Sequence, residues 1–207
     1  MPKVTADMSM SLDGFIAGPN DSAAQGLGEG GERLHQWLYD LASFHERHGA
    51  GGGVKDQDSE ILDEAFRTVG ACLMGRRMFD FAEQAWGANP PFHVPVFVLT
   101  HRPHDRLVKD GGTTFIFVSQ GIDSALAQAR AAAGEMDISL AGGADLIQQY
   151  LKAGLVDEIQ VHLVPLLLGA GTRLFDHIGA GPRTLQPLRV IESPAVTHLK
   201  YRVSNAV

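Results

Sequence analysis

From Val4 to Ser11 the side chains alternate without a break: Val4, Ala6, Met8 and Met10 are apolar, while Thr5, Asp7, Ser9 and Ser11 are polar. A period of two predicts a strand with one buried face, ending at the Asp13-Gly14 turn. Leu34, Trp37, Leu38 and Leu41 recur at helical spacing, so Glu32 to Phe44 reads as one helix. The AGGG run inside His45 to Asp58 reads as a mobile loop. Ile61, Leu62, Ala65 and Phe66 restore helical spacing over Ser59 to Val69. Strands are then expected at Ala71 to Met74, Pro95 to Thr100 and Thr114 to Val118, with an alanine-rich helix from Ile122 to Ala133.

The pattern is densest from Asp137 to Phe175. Ile138 to Ala141 is short and apolar, Gly142-Gly143 is a turn, and Ala144 to Ala153 is a helix carrying Leu146, Ile147, Tyr150 and Leu151. Gly154 suits a left-handed stop, and Ile159, Val161 and Leu163 alternate with Gln160 and His162 as a half-buried strand. The whole reads as a βαβ unit. Free N–H groups and the helix dipole at its glycine turn favour an anion such as a dinucleotide pyrophosphate, although a plain strand-to-helix turn has the same letters. Two closing strands, Leu188 to Glu192 and Thr197 to Val203, carry no helix between them. The expectation is a single α/β domain over residues 1–207, its sheet mixed but mostly parallel, flanked by helices, with an antiparallel C-terminal edge.

Composition narrows the function. A net charge of −7, from 17 basic and 24 acidic residues, argues against a nucleic-acid-binding face. With Cys72 as the lone cysteine, neither an internal disulfide nor a cysteine-based zinc site is open. No apolar run approaches 18 residues and no signal peptide is legible, so a soluble cytoplasmic protein without membrane partners is expected.

Candidate chemistry sits at turns. Gly75-Arg76-Arg77, Thr100-His101-Arg102 and Gly142-Gly143-Ala144 each follow a strand, and ligands of open α/β sheets lie outside the carboxyl ends of parallel strands. Arginine forks match phosphate geometry, so the three turns suit a dinucleotide with an extra 2′-phosphate; each arginine read singly also suits a solvated helix start. Asp13 either faces a ligand or makes an Asx turn. The His45/His48 and His101/His104 pairs lack further ligands, so no metal is expected. Trp37, Phe44 and Phe66 read as core. No nucleophile elbow or P-loop is present.

Taken together, MSMSLDGFIAGPND, LMGRRMF, PVFVLTHRP, LAGGADLIQQYLKAGLVDEIQVHLVPLLLGAGTRLF and SPAVTHLKYRV resemble the dihydrofolate-reductase-like family. The resemblance is closest to stand-alone relatives of the C-terminal reductase domain of the bifunctional riboflavin biosynthesis protein. It implies a sheet of about eight strands, an NADPH site across the strand ends and a homodimer, to which the apolar stretch Glu158 to Phe175 would contribute surface. It also implies that Ala17 lies against the nicotinamide, that Gly75, Arg76, Arg77, Thr100, His101 and Arg102 hold the adenosine phosphates, and that Gly142, Gly143, Ala144 and Asp145 cover the pyrophosphate. Leu12, Asp13 and Gly14 would border the substrate, with Asp13 raised in pKa by partial desolvation so that it acts as an acid. The expected activity is hydride transfer to a pteridine- or pyrimidine-type heterocycle or its ring-opened derivative. The riboflavin-pathway uracil reductase proper and a non-catalytic scaffold are the alternatives. Departures weaken the substrate reading: Leu140 replaces an acidic residue before the glycine turn, the zinc deaminase half is missing, and Asp40 is the only candidate for a buried substrate carboxylate.

Overall fold

The computed structural model describes residues 2–204. In chain order its strands are β1 (Val4–Ser11), β2 (Phe15–Ala17), β3 (Val69–Gly75), β4 (Pro95–Leu99), β5 (Leu107–Val108), β6 (Thr114–Val118), β7 (Asp137–Gly142), β8 (Glu158–Val164), β9 (Thr172–Arg173), β10 (Thr184–Glu192) and β11 (Thr197–Ser204). The helices are α1 (Gln36–Tyr39), α2 (Ala42–Arg47), α3 (Gln57–Thr68), α4 (Arg76–Trp86), α5 (Gly121–Ala133) and α6 (Ala144–Lys152). Nine strands form one sheet in the order β10-β11-β8-β1-β7-β3-β4-β6-β5, and β2 pairs with β9 beside it. Pairings from β8 through β6 are parallel, whereas β8–β11, β11–β10 and β6–β5 are antiparallel. The expected antiparallel C-terminal edge is present, and a second, two-residue antiparallel edge at β5 joins it.

Two apolar layers clamp the sheet. On one face α5 and α6 pack Leu126, Ala129, Ile147 and Tyr150 against Val4, Ala6, Leu73 and Leu140. Tyr150 is fully buried, and its hydroxyl donates to Ile122 O at 2.9 Å, which satisfies the polar tip. On the other face Phe79 of α4 packs with Cys72, Met74, Val96, Val98 and Phe115. Each such large side chain contributes roughly 1.5–3 kcal/mol on burial. Farther along that face, Trp37, Leu41 and Val196 make a third cluster.

Three expectations are corrected. The helix expected over Glu32 to Phe44 is a 3-10 turn at Gly31–Leu34, then α1, then α2. Its break has a cause: Asp40 O accepts from Val54 N (2.8 Å) and Ala42 N donates to Val54 O (2.9 Å), so this stretch pairs sideways and Leu41 is extended. That pairing leaves Asp40 exposed, not buried beside a substrate. The strand expected to alternate around Gln160 and His162 is instead buried on both faces, because the layer of α5 and α6 covers Ile159 and Val161 while Trp37 covers the side of His162. Glu158 to Val164 therefore presents no free face; the exposed apolar side chains of that region are Leu167 and Phe175. Strands β2, β5 and β9, of two or three residues, carried no readable period.

Candidate functional site

Parallel neighbours β7, β3 and β4 end at the same edge, so the turns that follow them open side by side. They line a cleft of about 1430 Å³, to which all of Ala17, Gly75, Arg76, Arg77, Thr100, His101, Arg102, Gly142, Gly143, Ala144 and Asp145 contribute. The structure thus brings together every residue expected around the dinucleotide. Gly142 has φ +119°, and a Cβ there would stand 3.1 Å from Met78 Sδ. At Gly143, whose peptide with Gly142 is cis, a Cβ would meet nothing within 4 Å. That emptiness lies at the start of α6, where the first N–H groups point out of the helix.

The arginines do not wait as free charges. Arg76 Nε donates to Asp80 Oδ1 (2.6 Å) and Arg102 Nη2 to Asp80 Oδ2 (2.9 Å), while Arg77 grips Asp21 through Nε (3.0 Å) and Nη2 (2.8 Å). Three guanidinium groups therefore share two carboxylates. The Asp21 hydrogen bond holds the Arg77 guanidinium above its usual range. Arg76 Nη1 is buried with no hydrogen-bond partner, its guanidinium 5.5 Å from the Phe117 ring centroid. Thr100 Oγ1 accepts from Arg102 N at 3.0 Å and fixes the second turn.

Leu12, Asp13 and Gly14 lie outside the cleft wall. Leu12 is 62% exposed. Asp13 turns toward the loop after β8: it accepts from Ser11 Oγ (2.6 Å), Leu168 N (3.1 Å) and Gly169 N (2.7 Å). The Ser11 bond, helped by the two backbone donors, holds its carboxyl down at about 2. The raised pKa expected of Asp13 is therefore reversed, since donors around an anion stabilise the charged form. Asp13 is a clamp for that loop, and Arg173 Nη1 donates to its main-chain oxygen at 2.7 Å.

The sequence reading missed the other end of the cleft. The polar residues of β1 face a covered layer: Thr5, Asp7 and Ser9 line the cleft with Gln160 and His162 of β8 and Lys200 of β11. Trp37 closes over them, donating from Nε1 to Ser9 Oγ at 3.0 Å, with its ring 4.7 Å from that of His162. His35, beside this layer, is pushed down to about 4 by burial and by His162. A signal did exist in the sequence, namely polar residues at every second position of three strands. Only the strand order shows that the three sets share one face.

Comparison with known proteins places this geometry. The chain is 26% identical to the uncharacterized protein YyaP of Bacillus subtilis (strain 168) over 179 residues, covering 84% of this chain and 80% of that one. A solved protein of Shewanella sp. PV-4 assigned to riboflavin biosynthesis has a TM-score of 0.67 at 21% identity, over 99% of this chain and 100% of that one. Dihydrofolate reductase from Enterococcus faecalis, solved with NADP(H), has a TM-score of 0.56 at 12% identity, over 98% of this chain and 97% of that one. These likenesses establish the dihydrofolate-reductase-like fold. The family model described as the RibD C-terminal domain matches residues 2–198, and on that match the chain belongs to the RibD C-terminal domain family.

Proposed function

We propose that the protein is an NADPH-dependent reductase acting on a small nitrogen heterocycle of pteridine or pyrimidine type, or its ring-opened derivative. The observation that carries this reading is the convergence of three strand-end turns on one cleft, with open space over Gly143 and Arg76, Arg77 and Arg102 among the lining residues. Those features fit a dinucleotide. The amides at the start of α6 would hold the pyrophosphate, and Arg76, Arg77 and Arg102 would reach the adenosine phosphates. Reduced nicotinamide, when bound, supplies the hydride.

The chain's own residues do the rest. Asp80 and Asp21 keep the guanidinium groups in place, so that little side-chain entropy is lost on binding. Trp37 and the surrounding apolar side chains exclude water from the far end of the cleft, where a planar ring would lie against the polar sheet face. Membership of the family and the NADP(H) complex of the E. faecalis enzyme support the cofactor. Titration calorimetry tests it: NADPH should bind and be preferred to NADH. A protein that binds neither nucleotide refutes the reading.

A further inference from the structure

Beneath Trp37, four ionisable side chains form a continuous chain across three strands and a helix. Asp7 Oδ1 meets His162 Nε2 at 2.6 Å, His162 Nδ1 meets His198 Nδ1 at 2.6 Å, and His198 Nε2 meets Asp58 Oδ1 at 2.9 Å. Neighbouring donors fix both ends. Gln160 Nε2 donates to Asp7 Oδ2 (3.2 Å) and Ser193 Oγ to Asp58 Oδ2 (3.0 Å). Asp58 also sits in the first turn of α3, where the helix dipole favours its negative charge. His162, His198 and Asp58 are buried, whereas the Asp7 side chain is 22% exposed and lines the cleft. The chain thus opens to the cleft at one end.

Proton counting gives it a direction. Two ring nitrogens 2.6 Å apart need one hydrogen between them, since two lone pairs or two N–H groups would repel. The two outer contacts also need one each. Two neutral imidazoles bring two protons, so three bridged contacts require a third. Shifting the His162 Nε2 proton onto Asp7 and the shared proton from His198 Nδ1 to His162 Nδ1, with the His198 Nε2 proton left facing Asp58, turns a histidine pair that carries one positive charge into two neutral rings beside a protonated Asp7, with every contact kept. Asp7 stands one residue past the Ala6–Leu140 pair, on the strand next to the one that ends in Gly142. It therefore lies near the place where the nicotinamide of a nucleotide on the glycine turn would reach.

We propose that Asp7 is the proton donor of the reductase, charged through His162, His198 and Asp58, and that its acceptor is the nitrogen of a C=N bond. This rests on the reductase reading. Reduced nicotinamide, when bound, would supply the hydride to the carbon; as the π pair moves to nitrogen, Asp7 would give its O–H proton to form the N–H bond and be left as a carboxylate. The Asp7–His162 contact, left without its proton, regains one from solvent through the cleft after product leaves. His162, His198 and Asp58 act as positioning residues. The other groups facing them are His35 from the 3-10 turn, Lys200 of β11, bonded to Glu158 of β8, and the Arg189–Glu64 pair of β10 and α3. Burial lowers the His198 pKa against the Asp58 hydrogen bond, which keeps its proton transferable.

The test starts without ligand. In nitrogen-15-labelled protein at neutral pH, one Nδ1 of the His162–His198 pair should carry a slowly exchanging proton. Asp7→Asn, isosteric and at the cleft surface, should keep a proton between the rings but shift its resonance, because the pair no longer faces a carboxylate, while keeping NADPH affinity within about twofold. With NADPH and 6-methyl-7,8-dihydropterin or 2-methyl-1-pyrroline as C=N probes, Asp7→Asn should slow the chemical step by about 10² or more, and Asp7→Glu should recover part of the loss. Should the shared resonance be missing from wild type or stay unshifted in Asp7→Asn, the relay is overturned. Equal rates in Asp7→Asn, or a wild type that binds NADPH and reduces neither probe, overturn Asp7 as donor. If wild type binds no NADPH, the reductase reading itself falls, whatever the histidines show. His162→Gln gives a second route into the same readouts if either Asp7 variant misfolds.

Discussion

Gly143→Val should leave the ligand-free protein as stable as wild type and remove its stabilisation by NADPH. Gly143 has φ −75° and ψ −166°, which valine adopts without strain, and its Cβ would meet no atom within 4 Å. The added carbons would instead fill the space over the α6 amides. At a nucleotide concentration one hundred times Kd, binding stabilises the native state by about 2.7 kcal/mol. For a chain of this length each kcal/mol moves Tm by roughly 2–4 °C, so wild type should gain roughly 5–11 °C and the variant nothing. Gly142→Ala is the contrast. At φ +119° with Met78 Sδ 3.1 Å away, even one methyl is strained, so the ligand-free Tm should itself fall, by about 1–3 kcal/mol in stability. Scanning calorimetry with and without NADPH separates the two effects. A Gly143→Val protein that keeps the wild-type gain, or loses as much ligand-free stability as Gly142→Ala, refutes the placement of the pyrophosphate.

Other outcomes follow from the same geometry. Arg76→Ala should erase any preference for NADPH over NADH, because it removes the buried, unpartnered Nη1; calorimetry that finds the preference intact dismisses Arg76 from the 2′-phosphate. Asp13→Asn should lower stability at neutral pH while leaving turnover within about twofold, since an amide NH2 would face a backbone N–H at the 168–169 loop. The pH dependence has a definite sign. Asp13 ionises at about 2 in the fold and at 3.8 by its ordinary value, so its contribution is complete above pH 3.8, fades as pH falls toward 2, and should be missing from the acid melting curve of the variant. A dimer is expected through the edge strand β10, where Leu185, Leu188 and Val190 are exposed; light scattering that finds only 22.2 kDa at micromolar concentration excludes it.

Local pattern was enough for much of this protein. Residues whose neighbours in the chain decide their conformation were legible: the period of two in β1, the apolar stripe of α6, and glycine turns that admit no other backbone. The turns after β3, β4 and β7 each sit at the end of their own strand, so position along the chain translated directly into position in space. The helix over Glu32 to Phe44 failed because Val54, a dozen residues on, takes the Asp40 and Ala42 hydrogen bonds; periodicity records no such competitor. Asp13 failed in the same way, since Leu168 and Gly169 arrive from across the chain and turn an expected acid into a held anion.

The Asp7 to Asp58 chain was beyond the reach of sequence pattern altogether. Its members come from β1, β8, β11 and α3 and meet only because β8 is inserted between the first strand and the last. In sequence Asp7, His162 and His198 are polar residues on alternating strands, which by itself predicts a solvated face, and Asp58 is one acid among several at a helix start. The sequence determined which residues are strand, helix and turn, and hence the nucleotide edge, because those depend on short-range sterics and spacing. Strand order set the polar faces of three strands side by side, and Trp37 and α3 packing over them decided that they are covered rather than wet. Once they are covered, every donor and acceptor there must find a partner, and that requirement ties two carboxylates and two imidazoles into one chain.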